Sequence, residues 1–152
     1  MHLSWPTIDT IVSFATLLGV LAAFWQLRES KRQAVATFED SLSAQYRSLL
    51  AELPVDALLG RTLDLDARRR SLGAFYRYFD LSNEQAFLRT RNRVGKGTWT
   101  DWAEGINQNM KLPAFQVAWT EIRSAGTGVF DDLATALDVH RMASGRQQTT
   151  RT

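Results

Sequence analysis

Apolar and polar positions are arranged differently in successive parts of the chain, and each arrangement predicts a helix of a different kind. From Thr7 to Leu27 the residues are almost all apolar or small, with Asp9 as the sole ionisable side chain. As a helix this stretch rises about 31 Å, the thickness of a bilayer's hydrocarbon core. No Pro or Gly follows until Pro54, so the helix is expected to run on to about Leu53. Its character changes there: Val35, Phe38, Leu42 and Leu49 recur at 3–4 spacing, with Gln45 at the intervening position, giving a one-sided stripe that needs a partner helix.

Pro54 to Arg61 reads as a connection, with Gly60 as a stop and Asp64 or Asp66 as the N-cap of a second long helix, about Leu65 to Val94. That helix has two apolar faces. Leu72, Phe75, Tyr76, Phe79, Ala86 and Phe87 form one, and Ala74, Tyr78, Leu81 and Leu88 form the other. The narrow polar strip of Arg70, Arg77, Asp80, Glu84 and Arg91 predicts a central position, packed on both sides. Gly95 and Gly97 then interrupt, and Thr98 with Asp101 resembles a capping box. Trp99, Trp102 and Ile106 mark a short helix, Pro113 starts another with Phe115, Ala118, Trp119 and Ile122, and Gly126 and Gly128 mark a turn. A last amphipathic helix spans Val129 to about Met142, carrying Leu133, Ala136, Leu137 and His140, and ASGRQQTTRT reads as a frayed tail.

The opening helix has the marks of a membrane span. Trp5 and Trp25 lie about 30 Å apart along a helix, one indole for each interface. Arg28, Lys31 and Arg32 follow it, while no Lys or Arg precedes Ile8, so the positive-inside rule puts the N-terminus outside and the remainder in the cytoplasm. The lack of an early positive charge and of an A-x-A site argues against a cleaved signal peptide. The competing reading is a buried soluble helix, because Asp9, Thr10, Ser13, Thr16 and Gln26 make the run only marginally apolar. Ala15, Gly19 and Ala23 form a small-xxx-small ladder through which two such helices could pack, leaving homo-oligomers open.

Composition narrows the chemistry. With 45% hydrophobic residues, 3 Pro and 9 Gly, the chain is neither disordered nor turn-rich, and helices are expected. The absence of Cys excludes disulfides, thiolate metal sites and a Cys nucleophile. The net charge of +2 conceals a basic block over residues 61–96 and an acidic one over 97–140. The basic run Arg68, Arg69 and Arg70, joined by Arg89, Arg91, Arg93 and Lys96, could meet anionic lipid or nucleic acid, or pair with the acidic block; nucleic acid is the least favoured of these.

Candidate catalytic features mostly fall away. VGKGTW (94–99) has Gly97 after Lys96, where a Walker loop requires Ser or Thr, so it reads as a turn between helices. His2 and His140 are isolated and offer no paired metal ligands. Asp80 and Glu84 share a helix face; they read as a surface pair neutralised by Arg77 and Arg91, or else as carboxylates for a divalent ion or for acid/base work.

FYRYFDLSNEQAFL (75–88), TWTDWAEGINQNM (98–110) and LPAFQVAWTEI (112–122) resemble an uncharacterised family of small bacterial single-pass proteins with Y-F-D-L-x-x-E-x-x-x-L, W-x-x-W-x-x-G-I and L-P-x-F-x-x-A-W segments. The resemblance implies an N-terminal membrane helix, a cytoplasmic helical domain and bacterial origin, and brings no catalytic residues.

The expected protein is therefore all-α: residues 1–6 outside the cytoplasm, 7–27 across the bacterial inner membrane, 28–142 a cytoplasmic helical bundle and 143–152 a disordered tail. Trp5, Trp25, Arg28, Lys31 and Arg32 would place it, and Arg68, Arg69 and Arg70 form a candidate contact patch. No cofactor or metal is expected. The expected role is that of a scaffold or regulator binding a protein partner or membrane lipid, rather than an enzyme. Two rivals stay open: a membrane-disrupting effector, such as one used in phage defence, oligomerising through Ala15, Gly19 and Ala23, and a divalent-ion enzyme using Asp80 and Glu84.

Overall fold

A computed structural model describes residues 5–126 and 130–139, with side chains from Ser13 onward. Every regular element among them is a helix. In order these are α1 (Trp5–Glu52), α2 (Val55–Leu58), α3 (Leu65–Thr90), α4 (Lys96–Asn109) and α5 (Pro113–Ser124), followed by a helical segment over residues 131–139. The chain divides into two units, Met1–Phe38 and Glu39–Thr152, so residues 28–38 group with the first unit and not with the bundle.

In the first unit, the side chains of α1 from Phe14 to Leu27 lie open to solvent. Phe14, Leu17, Leu18, Leu21, Phe24, Trp25 and Leu27 are 54–71% exposed. Among the described residues no helix is long and apolar enough to cross a membrane. The side chains of Trp5 and Asp9, and those of the first residues of the expected 7–27 span, lie outside the described residues.

The second unit is a helical bundle whose core is read most simply from α3. Its larger cluster centres on Phe75, Tyr78 and Phe79 of α3 against Phe115 of α5, all fully buried. Phe115 meets Phe75 at 5.1 Å and Tyr78 at 5.2 Å, both edge-on. Such pairs add about 0.5–1.5 kcal/mol each beyond the area they bury. The smaller cluster joins Leu42 of α1, Leu81 and Leu88 of α3, and Val94, flanked by Leu49, Trp99 and Trp102. The central position expected for α3 is thus observed, and Arg77, Asp80 and Glu84 form its exposed strip.

Several expected details change, each for a local reason. Gln45 is exposed; the inward face of α1 instead carries Leu42, Tyr46, Leu49 and Leu50, with Leu53 just beyond its end also buried, while Val35 and Phe38 are 40% and 36% exposed. Tyr76 and Phe87 of α3 are also exposed, so its first face is narrower than the apolar pattern suggests. The Pro54–Arg61 connection contains the single turn α2, closed by Gly60 at φ +76°. There the Arg61 amide donates to the Asp56 carbonyl and the Gly60 amide to Ala57, the left-handed closure glycine favours.

The Asp64 side chain caps α3 by accepting from the Ala67 amide at 2.7 Å. That helix stops at Thr90 rather than Val94, because Asn92 adopts the left-handed conformation (φ 55°). The Arg93 amide then donates to the Leu88 carbonyl and the Asn92 amide to Arg89, the same closure made with Asn in place of Gly. Pro113 opens α5 as expected. The Asn83 side chain accepts from the Leu133 amide at 3.0 Å, tying the 131–139 segment to α3. Val129, His140 and the expected tail lie outside the described residues.

Candidate functional site

Three places gather the residues singled out in the sequence. The first is α1 within the first unit. At 3.6 residues per turn, Phe14, Leu17, Leu21, Phe24 and Trp25 lie on one side of this helix, and Arg28, Lys31 and Arg32 continue that side. The three basic residues are exposed. Ala15, Gly19 and Ala23 fall on the opposite side, also exposed, and a Cβ added at Gly19 would meet nothing within 4 Å.

The second place is a cleft of ≈ 310 Å³ between α1 and α3, lined by Gln45, Ser48, Leu49, Arg77, Asp80, Leu81 and Glu84. The structure brings Asp80 and Glu84 to this one wall but corrects their expected neutralisation. The Arg77 guanidinium forms its ion pair with Glu52 of α1, and Arg91 lies over the Phe87 ring at 5.1 Å. Neither carboxylate has an ion-pair partner among the described residues. Nor do those residues contain a group of three or more His, Cys, Asp or Glu able to hold a metal ion. His2 and His140 lie outside them.

The third place is the basic run, which disperses on folding. Arg68 turns to α5, its Nε 3.3 Å from Glu121 Oε2 as an ion pair without hydrogen-bond geometry. Arg69 and Arg70 remain exposed. Arg89 reaches the Val94 carbonyl at 3.4 Å. Of the candidate patch, Arg69 and Arg70 are without an ion pair among the described residues.

VGKGTW is a junction, and its phosphate-loop likeness ends there. Gly95, not Thr98, occupies the N-cap of α4, and the capping group comes from α1. Glu39 Oε1 accepts from the Gly95 amide at 2.8 Å and Oε2 from the Thr98 hydroxyl at 2.7 Å. The helix N-terminus that could have met an external anion already has a carboxylate on it.

A polar set inside the bundle joins three residues from three helices, with Tyr78 buried and Tyr46 and Asn109 half-buried. Asn109 Nδ2 of α4 donates to Tyr46 Oη of α1 at 2.9 Å and to Tyr78 Oη of α3 at 3.1 Å. Burial raises the pKa of both phenols; the neighbouring Tyr46 pushes Tyr78 up further. These hydroxyls are therefore neutral struts and not acid/base groups at ordinary pH. Gly105 leaves room for the Tyr46 hydroxyl, which would stand 3.4 Å from a Cβ there. The conspicuous positions of the 75–88, 98–110 and 112–122 segments mostly serve this packing.

Comparison with family models, with curated proteins and with solved structures gives no match.

Proposed function

We infer that the protein is a membrane-anchored helical scaffold that acts by contact. In this reading residues 7–27 cross the bacterial inner membrane with the N-terminus outside, in line with the resemblance over residues 75–122. The bundle that follows recruits a protein partner at the cytoplasmic face, with Arg69 and Arg70 as a contact patch.

The observation that carries the reading is the run of large apolar side chains from Phe14 to Leu27, each more than half exposed. A contiguous apolar surface of this kind calls for another apolar medium. In sequence the run begins at Thr7, ahead of the described side chains, and ends at Leu27, with Trp25 near its end and Arg28, Lys31 and Arg32 just beyond, the order of groups at a cytoplasmic interface.

Fractionation tests it. The full chain is expected in the membrane pellet, resistant to carbonate and released by detergent, whereas a chain lacking residues 1–30 is expected in the supernatant. A full chain that stays soluble and monodisperse without detergent would remove the anchor and the recruiting role with it.

A further inference from the structure

We propose that Arg28, Lys31 and Arg32 form a binding site for anionic phospholipid headgroups on α1. This inference rests on the membrane reading above and names the lipid class which that anchor selects.

The three cations sit at i, i+3 and i+4, so they fall within one turn and on one side of the helix. All three are exposed, and none takes part in an ion pair or side-chain hydrogen bond among the described residues. The nearest carboxylate in sequence, Glu29, accepts from the Gln33 side chain at 3.5 Å. Trp25 and Leu21 lie directly N-terminal on the same side as the cations, both largely exposed.

This order, apolar side chains, then an indole, then three free cations on one helix face, matches the depth profile of a lipid leaflet from acyl chain to phosphate. Arg68, Arg69 and Arg70 make a poorer lipid site. Arg68 is bound to Glu121, and Asp64 and Asp66 stand close in sequence. On α1 the neighbouring carboxylate, Glu29, makes no ion pair with the three cations among the described residues, and the cations adjoin the exposed apolar side chains that the membrane reading puts in the bilayer.

The test uses the full chain reconstituted in phosphatidylcholine vesicles with a trace of spin-labelled phosphatidylglycerol or spin-labelled phosphatidylcholine. Electron paramagnetic resonance separates lipid held at the protein surface from bulk lipid. Phosphatidylglycerol is expected to associate about fivefold more strongly or better, the effect of a single basic side chain near the surface being roughly fivefold. Salt should weaken the preference. The triple variant Arg28→Gln/Lys31→Gln/Arg32→Gln should abolish it, and Arg28→Lys/Arg32→Lys should keep it. Equal association of the two lipids with the unmodified chain, or a preference that survives the triple substitution, overturns the proposal. No held lipid of either kind overturns the membrane reading as well, so the two failures are told apart.

Discussion

Glu39 closes the N-terminus of α4 through Thr98, its Oε2 accepting from the threonine hydroxyl at 2.7 Å while Oε1 takes the Gly95 amide. A carboxylate 59 residues away in sequence thus does the work usually left to the residue just before a helix. Substituting Glu39 with Ala strips α4 of a charge-assisted cap and is expected to cost about 1–2 kcal/mol. Glu39→Gln, which keeps the acceptor oxygen, should cost less. Denaturant unfolding of the two variants beside the parent chain measures this; an unchanged midpoint in Glu39→Ala would show that α4 has no need of the tether.

The paired phenols predict alkaline sensitivity. Tyr46 and Tyr78 both titrate above the ordinary tyrosine value of 10.0 in the folded bundle. In the unfolded chain they lose their protons first, so the folded state binds more protons and stability falls as pH rises past about 10. Below that value both states carry neutral phenols and the contribution is complete. The decline should approach about 1.4 kcal/mol per pH unit for Tyr78, with Tyr46 acting in the same direction. Unfolding free energies measured across the alkaline range, with Tyr46→Phe and Tyr78→Phe as controls, should show each substitution flattening the slope.

Gln85 is fully buried, and neither Nε2 nor Oε1 of its amide has a partner among the described residues. An unsatisfied buried amide costs roughly 1–3 kcal/mol, and an apolar residue of similar volume removes that cost. Gln85→Met is expected to raise the thermal midpoint. A lower midpoint would mean that the amide is satisfied by a buried water.

Asp80 and Glu84 face the α1/α3 cleft four residues apart, without an ion-pair partner among the described residues. Like charges at this spacing repel by about 0.2–0.5 kcal/mol. Asp80→Asn should therefore stabilise the bundle slightly, most visibly at low salt, and magnesium or calcium should leave the thermal midpoint unmoved. If a divalent ion belongs there, the opposite follows: the metal raises the midpoint and Asp80→Asn abolishes the rise.

What could be read from the sequence followed the strength of local signals. The course of α1 to Glu52, the central α3, the Asp64 cap and the Pro113 start all depend on periodicity or on a residue with one strong conformational preference. The end of α3 was harder to place because Asn92 is a weaker marker than the glycines three and five residues later. Tyr46 was legible in principle, sitting four residues after Leu42, but its polar hydroxyl disguised an inward position. Glu39, Arg77 and Asn109 find their partners at sequence separations of 25 to 63 residues, and no local pattern announces such pairings. Phe130 left no signal either: an aromatic at φ 62° is intrinsically disfavoured, and its ring is held by Phe79 and Trp119.

Because α3 supplies side chains to both hydrophobic clusters, neither the α1 side nor the α5 side of the bundle can complete its interior while that helix is absent. Residues 39–139 should consequently lose structure in one step, with amides of α1, α4 and α5 exchanging through the same global opening as those of α3. A protease given this domain would find it whole or find it gone.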